Sequence, residues 1–421
     1  MDTGRALAVI VALGLSSAAL AALATRAPAE VRAEPPGYGD TDPSLGAQFT
    51  DAEIARHGTF RRGQYAGFAL GLLLEIAILI VLARGPVARV ADWAERFPGG
   101  WLSTVIVVAL FVGLVTWLSA LPLRYVLGYA NQHAWGLSNQ ALSSWMVDGV
   151  RSLVIGGVIA AISALAFFGA IRWQPRSWWV FGWIAFTILN AVLVLLWPVL
   201  IAPLFNKFTP LEDGPTRARV LQLADEAGVD LNEVYVVDAS KRSNLENAYV
   251  AGLGGTKRMV LYDTLLSSGD QDETAFVVAH ELGHEVEHHV LKGVLIATVG
   301  LLAGFAALAW LSHRDAIWAW AGASGVGDVR ALPLLLVFVS LATLILLPAQ
   351  NGVSRSFESR ADEIALELTH DPDAAVKAFR RLAFKNLADL RPPRPLVWLL
   401  YSHPPIPDRI GAAMATKAPS T

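Results

Sequence analysis

The chain has 421 residues, of which 54% are hydrophobic and only 16% charged. Ordinary soluble domains carry about 25% charged residues, so a simple soluble enzyme is excluded. With a formal net charge of −3 there is no basic excess for a nucleic-acid partner, and with no cysteine there is no disulfide, thiolate ligand or thiol nucleophile.

Crossing a bilayer takes about 20 consecutive apolar residues. Seven segments qualify, at 6–24, 65–83, 101–123, 153–171, 178–204, 294–311 and 332–347. The first also fits a cleaved signal peptide, but its apolar run is long for one, and a retained helix is expected. Residues 27–62 between the first two are polar, with Pro35-Pro36-Gly37, and read as a partly flexible loop. If the N-terminus lies outside, roughly three quarters of the Lys and Arg residues fall on the inner side, which places the polar regions in the cytoplasm. Glu75 and Asn190 lie within spans, where a charge costs about 2.5–3.5 kcal/mol at mid-membrane. Such residues line an internal chamber or form an internal hydrogen bond.

The polar stretch 207–292 reads as a folded domain. Residues 214–228 have helical apolar spacing and end on glycine. Short β-prone runs occur at 234–237, 248–251 and 259–262. A helix is expected over 272–289, leading directly into the sixth span. Another is expected over 354–368, and 379–398 reads as partly helical between prolines. The C-terminus, Ala418-Pro419-Ser420-Thr421, carries no prenylation box.

Within the 272–289 helix stands His280-Glu281-Leu282-Gly283-His284. Residues four apart share one helix face, so the two imidazoles can grip one metal ion. Glu281 lies about 100° round the helix, within reach of a water on that metal. Zinc lowers the pKa of such a water towards about 7, and a carboxylate then takes its proton. The competing reading is a chance match on a surface helix. It loses ground because another part of the chain offers a third ligand.

Catalytic zinc takes three protein ligands and keeps one position open. The three-histidine pattern H-E-x-x-H-x-x-G-x-x-H fails here, because Glu287 and Val290 occupy its glycine and final histidine positions. His288 and His289 are expected at the interface or beside a ligand. Glu358 and Asp362, four apart just beyond the seventh span, offer a better answer. Glu358 supplies a third ligand, while Asp362 orients a histidine by accepting its second N–H. Taken alone, that segment is an ordinary charged helix start.

These residues together resemble the type I CAAX prenyl protease family of integral-membrane zinc peptidases. The resemblance rests on His280 to His284 and on Ser354-Arg355-Ser356-Phe357-Glu358-Ser359-Arg360-Ala361-Asp362. It rests also on Ser240-Lys241-Arg242-Ser243-Asn244 through Asn247-Ala248-Tyr249 to Leu266, and on 201–211. Weaker similarity begins near Gly136-Leu137-Ser138, so about 129–409 is covered; the first hundred residues match only by hydropathy. The resemblance implies one zinc per chain on His280, His284 and Glu358, with Glu281 as general base. It implies that Asn247, Ala248 and Tyr249 form an edge strand that binds substrate backbone; plain core packing is the alternative. In Ser402-His403-Pro404-Pro405-Ile406-Pro407-Asp408-Arg409, His403 is implied to stabilise the oxyanion, and Arg409 to bind substrate or pair with a carboxylate. A membrane chamber with the zinc site at its cytoplasmic end is also implied.

The expected fold is therefore mainly α: a polytopic membrane protein of about seven transmembrane helices with a gluzincin-like catalytic domain containing a small β-sheet. Residues 1–205 form a membrane region of five helices, and 206–421 a metallopeptidase domain that includes the other two. The expected activity is hydrolysis of peptide bonds near the membrane, acting as a monomer in a lipid bilayer on a peptide or membrane-protein substrate. Three alternatives stay open. A heat-shock-type quality-control protease has fewer spans. A site-2-type protease would bury the motif in an apolar run, whereas Glu285, Glu287 and Lys292 flank it here. A non-enzymatic zinc scaffold would not need Glu281.

Overall fold

The computed structural model describes residues 2–252, 257–267 and 270–417. The C-terminal Ala418-Pro419-Ser420-Thr421 lies outside them. Helix α1 (Thr3–Ala24) starts at Asp2, whose side chain accepts from the Arg5 N–H. It is followed by a short α2 (Ala29–Arg32), α3 (Asp51–Ala83) and α4 (Pro86–Ala94). Next come α5 (Trp101–Arg124), a π-helical turn, α6 (Asn131–Ala134), α7 (Leu142–Trp173) and α8 (Trp178–Leu196). Among the described residues, seven helices are long and apolar enough to cross a membrane. Their outward residues include Leu73 at 64%, Val299 at 66% and Ile345 at 76% exposure, a surface suited to lipid rather than water.

The first apolar segment is packed into the bundle. Its Ala21 is fully buried, and a Cβ on Gly14 would stand 2.6 Å from the Ser119 carbonyl oxygen, so α1 and α5 cross in backbone contact. A cavity of about 1560 Å³ lies among α3, α5 and α7, lined among others by Leu74, Glu75, Leu114, Asp148 and Gly156. Glu75 both lines this cavity and accepts a hydrogen bond from Ser340 Oγ at 3.0 Å. Asn190 is half-buried on α8 and is not among the lining residues.

Residues 33–62 depart from the flexible-loop expectation. Thr50 and Glu53 form a capping box that starts α3 fourteen residues before the apolar run at Tyr65. The segment before it wraps the buried Arg380 guanidinium, which donates to the carbonyls of Asp40, Gly46 and Gln48. A buried guanidinium needs such acceptors, and a polar loop can supply them by wrapping around it.

The second half opens with β1 (Phe208–Pro210), α9 (Pro215–Glu226), β2 (Glu233–Val237), β3 (Ala248–Ala251), β4 (Arg258–Tyr262) and α10 (Asp263–Ser267). Strand β1 is too short and proline-bounded to be read from sequence. The sheet order is β1-β2-β4-β3, with β2 and β4 parallel and the outer pairs antiparallel. Then come α11 (Gln271–Val286), α12 (His289–Ser312), α13 (Asp315–Trp320), α14 (Leu332–Thr369), α15 (Pro372–Lys385), α16 (Arg394–Leu400) and α17 (Ile406–Ala415).

Two boundaries differ from expectation. The helix carrying the histidines does not run directly into the sixth span: His288 takes φ 52° and breaks it. Glu287 staples the break, ion-paired with Lys292 at 2.8 Å and with Arg360 of α14 at 3.0 Å, contacts that pull its carboxyl down to about 2. The seventh span and the helix after it are one rod, the 38-residue α14, continuous through Pro348.

The core of this half is built on the inner face of α11. Phe276, Val278 and Leu282 meet the sheet, α9 and α15, with Phe276 edge-to-face on Phe379 at 5.1 Å. Beneath it, Arg381 of α15 pairs with Glu246 beside β3 at 3.0 Å and with Glu273 of α11 at 2.7 Å. All three are buried, so Arg381→Ala removes the cation between two buried carboxylates and is expected to cost about 3–5 kcal/mol. A fall of several degrees in the thermal unfolding midpoint, in the same detergent as wild type, checks this.

Candidate metal centre

His280 and His284 project from one face of α11 toward α14. The helices approach closely because Gly283 and Ala361 meet: a Cβ on Gly283 would lie 3.0 Å from Ala361 Cα and 3.1 Å from its carbonyl oxygen. Both neighbours are backbone atoms that give way only if the helices separate. Gly283→Val is therefore expected to lower metal content and activity together, with the loss read by elemental analysis of the purified protein.

Across that contact, Glu358 stands opposite both imidazoles. Its Oε2 is 3.2 Å from His280 Nε2 and its Oε1 is 3.6 Å from His284 Nε2. The two Nε2 atoms are 3.2 Å apart, and a ligand atom from each of the three residues lies within 4.8 Å of the others. Glu358 Oε2 is buried yet has no well-aimed hydrogen-bond partner among the described residues. Three donors converging on one point, one of them an orphaned carboxylate oxygen, fit a divalent cation with imidazole and carboxylate ligands.

The other imidazole nitrogens are held from behind. His280 Nδ1 lies 2.8 Å from Asp362 Oδ1, which leaves Nε2 facing the cluster. Asp362 is itself held by Arg409, whose Nη2 donates to Oδ1 at 2.6 Å and Nε to Oδ2 at 2.8 Å. Of the two roles the sequence left for Arg409, the ion pair is the one present, and the side chain is buried in making it. His284 Nδ1 lies 2.9 Å from His289 Nδ1, and the His289 ring stacks on Phe357 at 4.1 Å. For His284 Nε2 to face a cation, its proton must sit on Nδ1, so His289 must be the acceptor. Burial works against charge on His280, but the hydrogen bond to Asp362 and the nearby Glu358 carboxylate outweigh it and raise its pKa to about 9. The two carboxylates thus set up a local field that favours positive charge, as a cation site requires.

Glu281 follows His280 on α11 without joining the cluster. Loss of water around its carboxyl raises its pKa to about 7; His280 opposes the shift, and the charge of Glu358 adds to it. His403 reaches the same place from the loop between α16 and α17. Its Nε2 is 3.3 Å from Glu358 Oε1, its Nδ1 is 2.8 Å from Ser402 Oγ, and its side chain is 56% exposed. Asn247, Ala248 and Tyr249 sit at and just before β3, the outermost strand beside β4, and β3 packs on α11. Their outer edge has no strand partner among the described residues.

Two family models match different parts of the chain. A family model described as peptidase family M48 matches residues 210–417, and one described as CAAX prenyl protease N-terminal, five membrane helices, matches 61–207. The uncharacterized metalloprotease YhfN of Bacillus subtilis is 35% identical over 82% of this chain and 81% of its own length. CAAX prenyl protease 1 of Saccharomyces cerevisiae is 29% identical over 74% of this chain and 73% of its own. The crystal structure of S. mikatae Ste24p shares the fold, with a TM-score of 0.77 at 23% identity, covering 96% of this chain and 98% of that one.

Proposed function

Since the chain belongs to the M48 peptidases of the CAAX prenyl protease family and is a membrane metalloprotease, we propose that it is a zinc endopeptidase. In this reading its metal is held by His280, His284 and Glu358, and its general base is Glu281. The observation that carries this reading is the convergence of those three donors beside a carboxyl whose proton affinity is set near neutrality. The chemistry a zinc ion supplies there is Lewis acidity, which acidifies water and polarises a carbonyl.

The chain's own groups do the rest. Glu281 takes a proton from the attacking water and returns it to the leaving amine. Asp362 keeps the His280 proton on Nδ1, and Arg409 keeps Asp362 charged and in place. His403 Nε2 donates to the oxyanion as the carbonyl carbon becomes tetrahedral. The peptide lies extended along the free edge of β3, with Asn247, Ala248 and Tyr249 giving it backbone hydrogen bonds. The domain boundary is taken near residue 205.

The substrate is a peptide segment held at the membrane, and the site works on the cytoplasmic side of the cell membrane, as a monomer in the bilayer. The printed name of the yeast relative makes a prenylated C-terminus the first substrate to try. In lipid nanodiscs, wild type with zinc is expected to cleave a C-terminal peptide, and matched farnesylated and unmodified versions show whether the lipid is read. Intact peptides of both kinds with a full zinc site would sink the proposal. Because the chain lacks cysteine, the side is testable with one label. Asp225→Cys in intact cells is expected to resist a membrane-impermeant maleimide and to react after permeabilisation; labelling of intact cells would reverse the orientation.

A further inference from the structure

His403 sits on a segment without regular secondary structure, between Tyr401 and the two prolines that precede α17. A donor that must meet a developing charge has to be held to within about half an ångström. The segment just before it is gripped from α14. Arg355 Nη1 donates to the carbonyls of Val397 at 3.0 Å and Tyr401 at 2.6 Å. The buried Asn351 donates through Nδ2 to the Leu399 carbonyl at 2.7 Å. These carbonyls lie in the last turn of α16 and just beyond it, where a helix end leaves acceptors short of internal donors; Val397 accepts also from the Tyr401 N–H at 3.2 Å. Tyr401 is also fixed by its ring: its hydroxyl is 2.5 Å from that of Tyr65, which donates to Asp389 at 2.8 Å.

Asn351, Arg355, Glu358 and Asp362 are spaced four, three and four residues apart, so they lie along one face of α14. One continuous helix thus carries the third donor, the residue that orients His280, and two groups gripping the residues just before His403. About 10 Å of helix separates Asn351 from Glu358, so the clamp and the carboxylate move as one body. We propose that Arg355 and Asn351 are positioning residues that fix the height of His403 above Glu358, and so the placing of the oxyanion donor relative to the metal. This rests on His403 being the oxyanion donor of the proposed zinc endopeptidase.

The test is a double-mutant cycle on the full chain in nanodiscs with zinc. Arg355→Ala and His403→Ala are each expected to lower kcat by about 100-fold, the scale of one lost oxyanion donor, with KM and zinc content unchanged. Arg355→Ala added to His403→Ala should cost less than about threefold more, because the clamp has nothing left to place. Asn351→Ala, a milder cut that removes one of the three carbonyl contacts, should lower kcat about 10-fold and be equally silent on the His403→Ala background. Full additivity in the cycle, or a loss of zinc or a rise in KM with either clamp variant, assigns the clamp a general structural role and overturns the proposal. Full activity in His403→Ala instead brings down the reading of His403, and the proposal with it.

Discussion

Glu281→Gln is expected to bind zinc as wild type does and to cleave peptide about 10²–10⁴-fold more slowly. The substitution keeps size and shape and removes only the proton acceptor, and a positioned acid–base group is worth that range. Glu281 is not one of the three converging donors, so stability and metal content should stay put. Loss of water beside a second carboxylate raises the proton affinity of the Glu281 carboxyl. That matches its proton affinity to a task that needs both uptake and release. Single-turnover cleavage with parallel elemental analysis reads both quantities. Equal cleavage by both proteins would remove Glu281 from the chemistry.

Glu358→Gln should fail in the opposite way, losing zinc and activity together. The amide is a poor ligand, and two histidines on one helix leave the ion without its anchor on α14. The loss of affinity should exceed the roughly 10–100-fold expected of Asp362→Asn, which disturbs only the orientation of His280. Excess zinc should restore activity to Asp362→Asn and not to Glu358→Gln. A Glu358→Gln protein with full zinc content would move the third ligand elsewhere.

Much of this was legible in the sequence because the signals are local. Seven long apolar runs declare themselves by length, and the four-residue spacing of His280 and His284 fixes a shared face. The pairing of Glu358 with His280 was readable from chemistry, since a carboxylate on a second helix was needed. Features that depend on distant contacts were not legible. Residues 33–50 look like a loose polar loop until the buried Arg380 is seen to need their carbonyls. Strand β1 exists because β2 offers it an edge. The break at His288 has no proline or glycine to announce it, only a left-handed backbone beside Glu287, which is ion-paired with Lys292 and Arg360. Gly283 looks like filler in the motif, yet a glycine between two ligands on one helix is a signal that another helix crosses there. Nothing local marks Arg355 and Asn351 as a clamp, because their carbonyl partners lie more than 40 residues away.

Zinc-edge X-ray absorption on the purified, active protein decides whether His280, His284 and Glu358 hold a catalytic zinc ion. The expected result is stoichiometric zinc with only nitrogen and oxygen neighbours at about 2.0–2.2 Å and the outer scattering of two imidazoles. Active protein without zinc, or a shell with three imidazoles, would contradict that assignment.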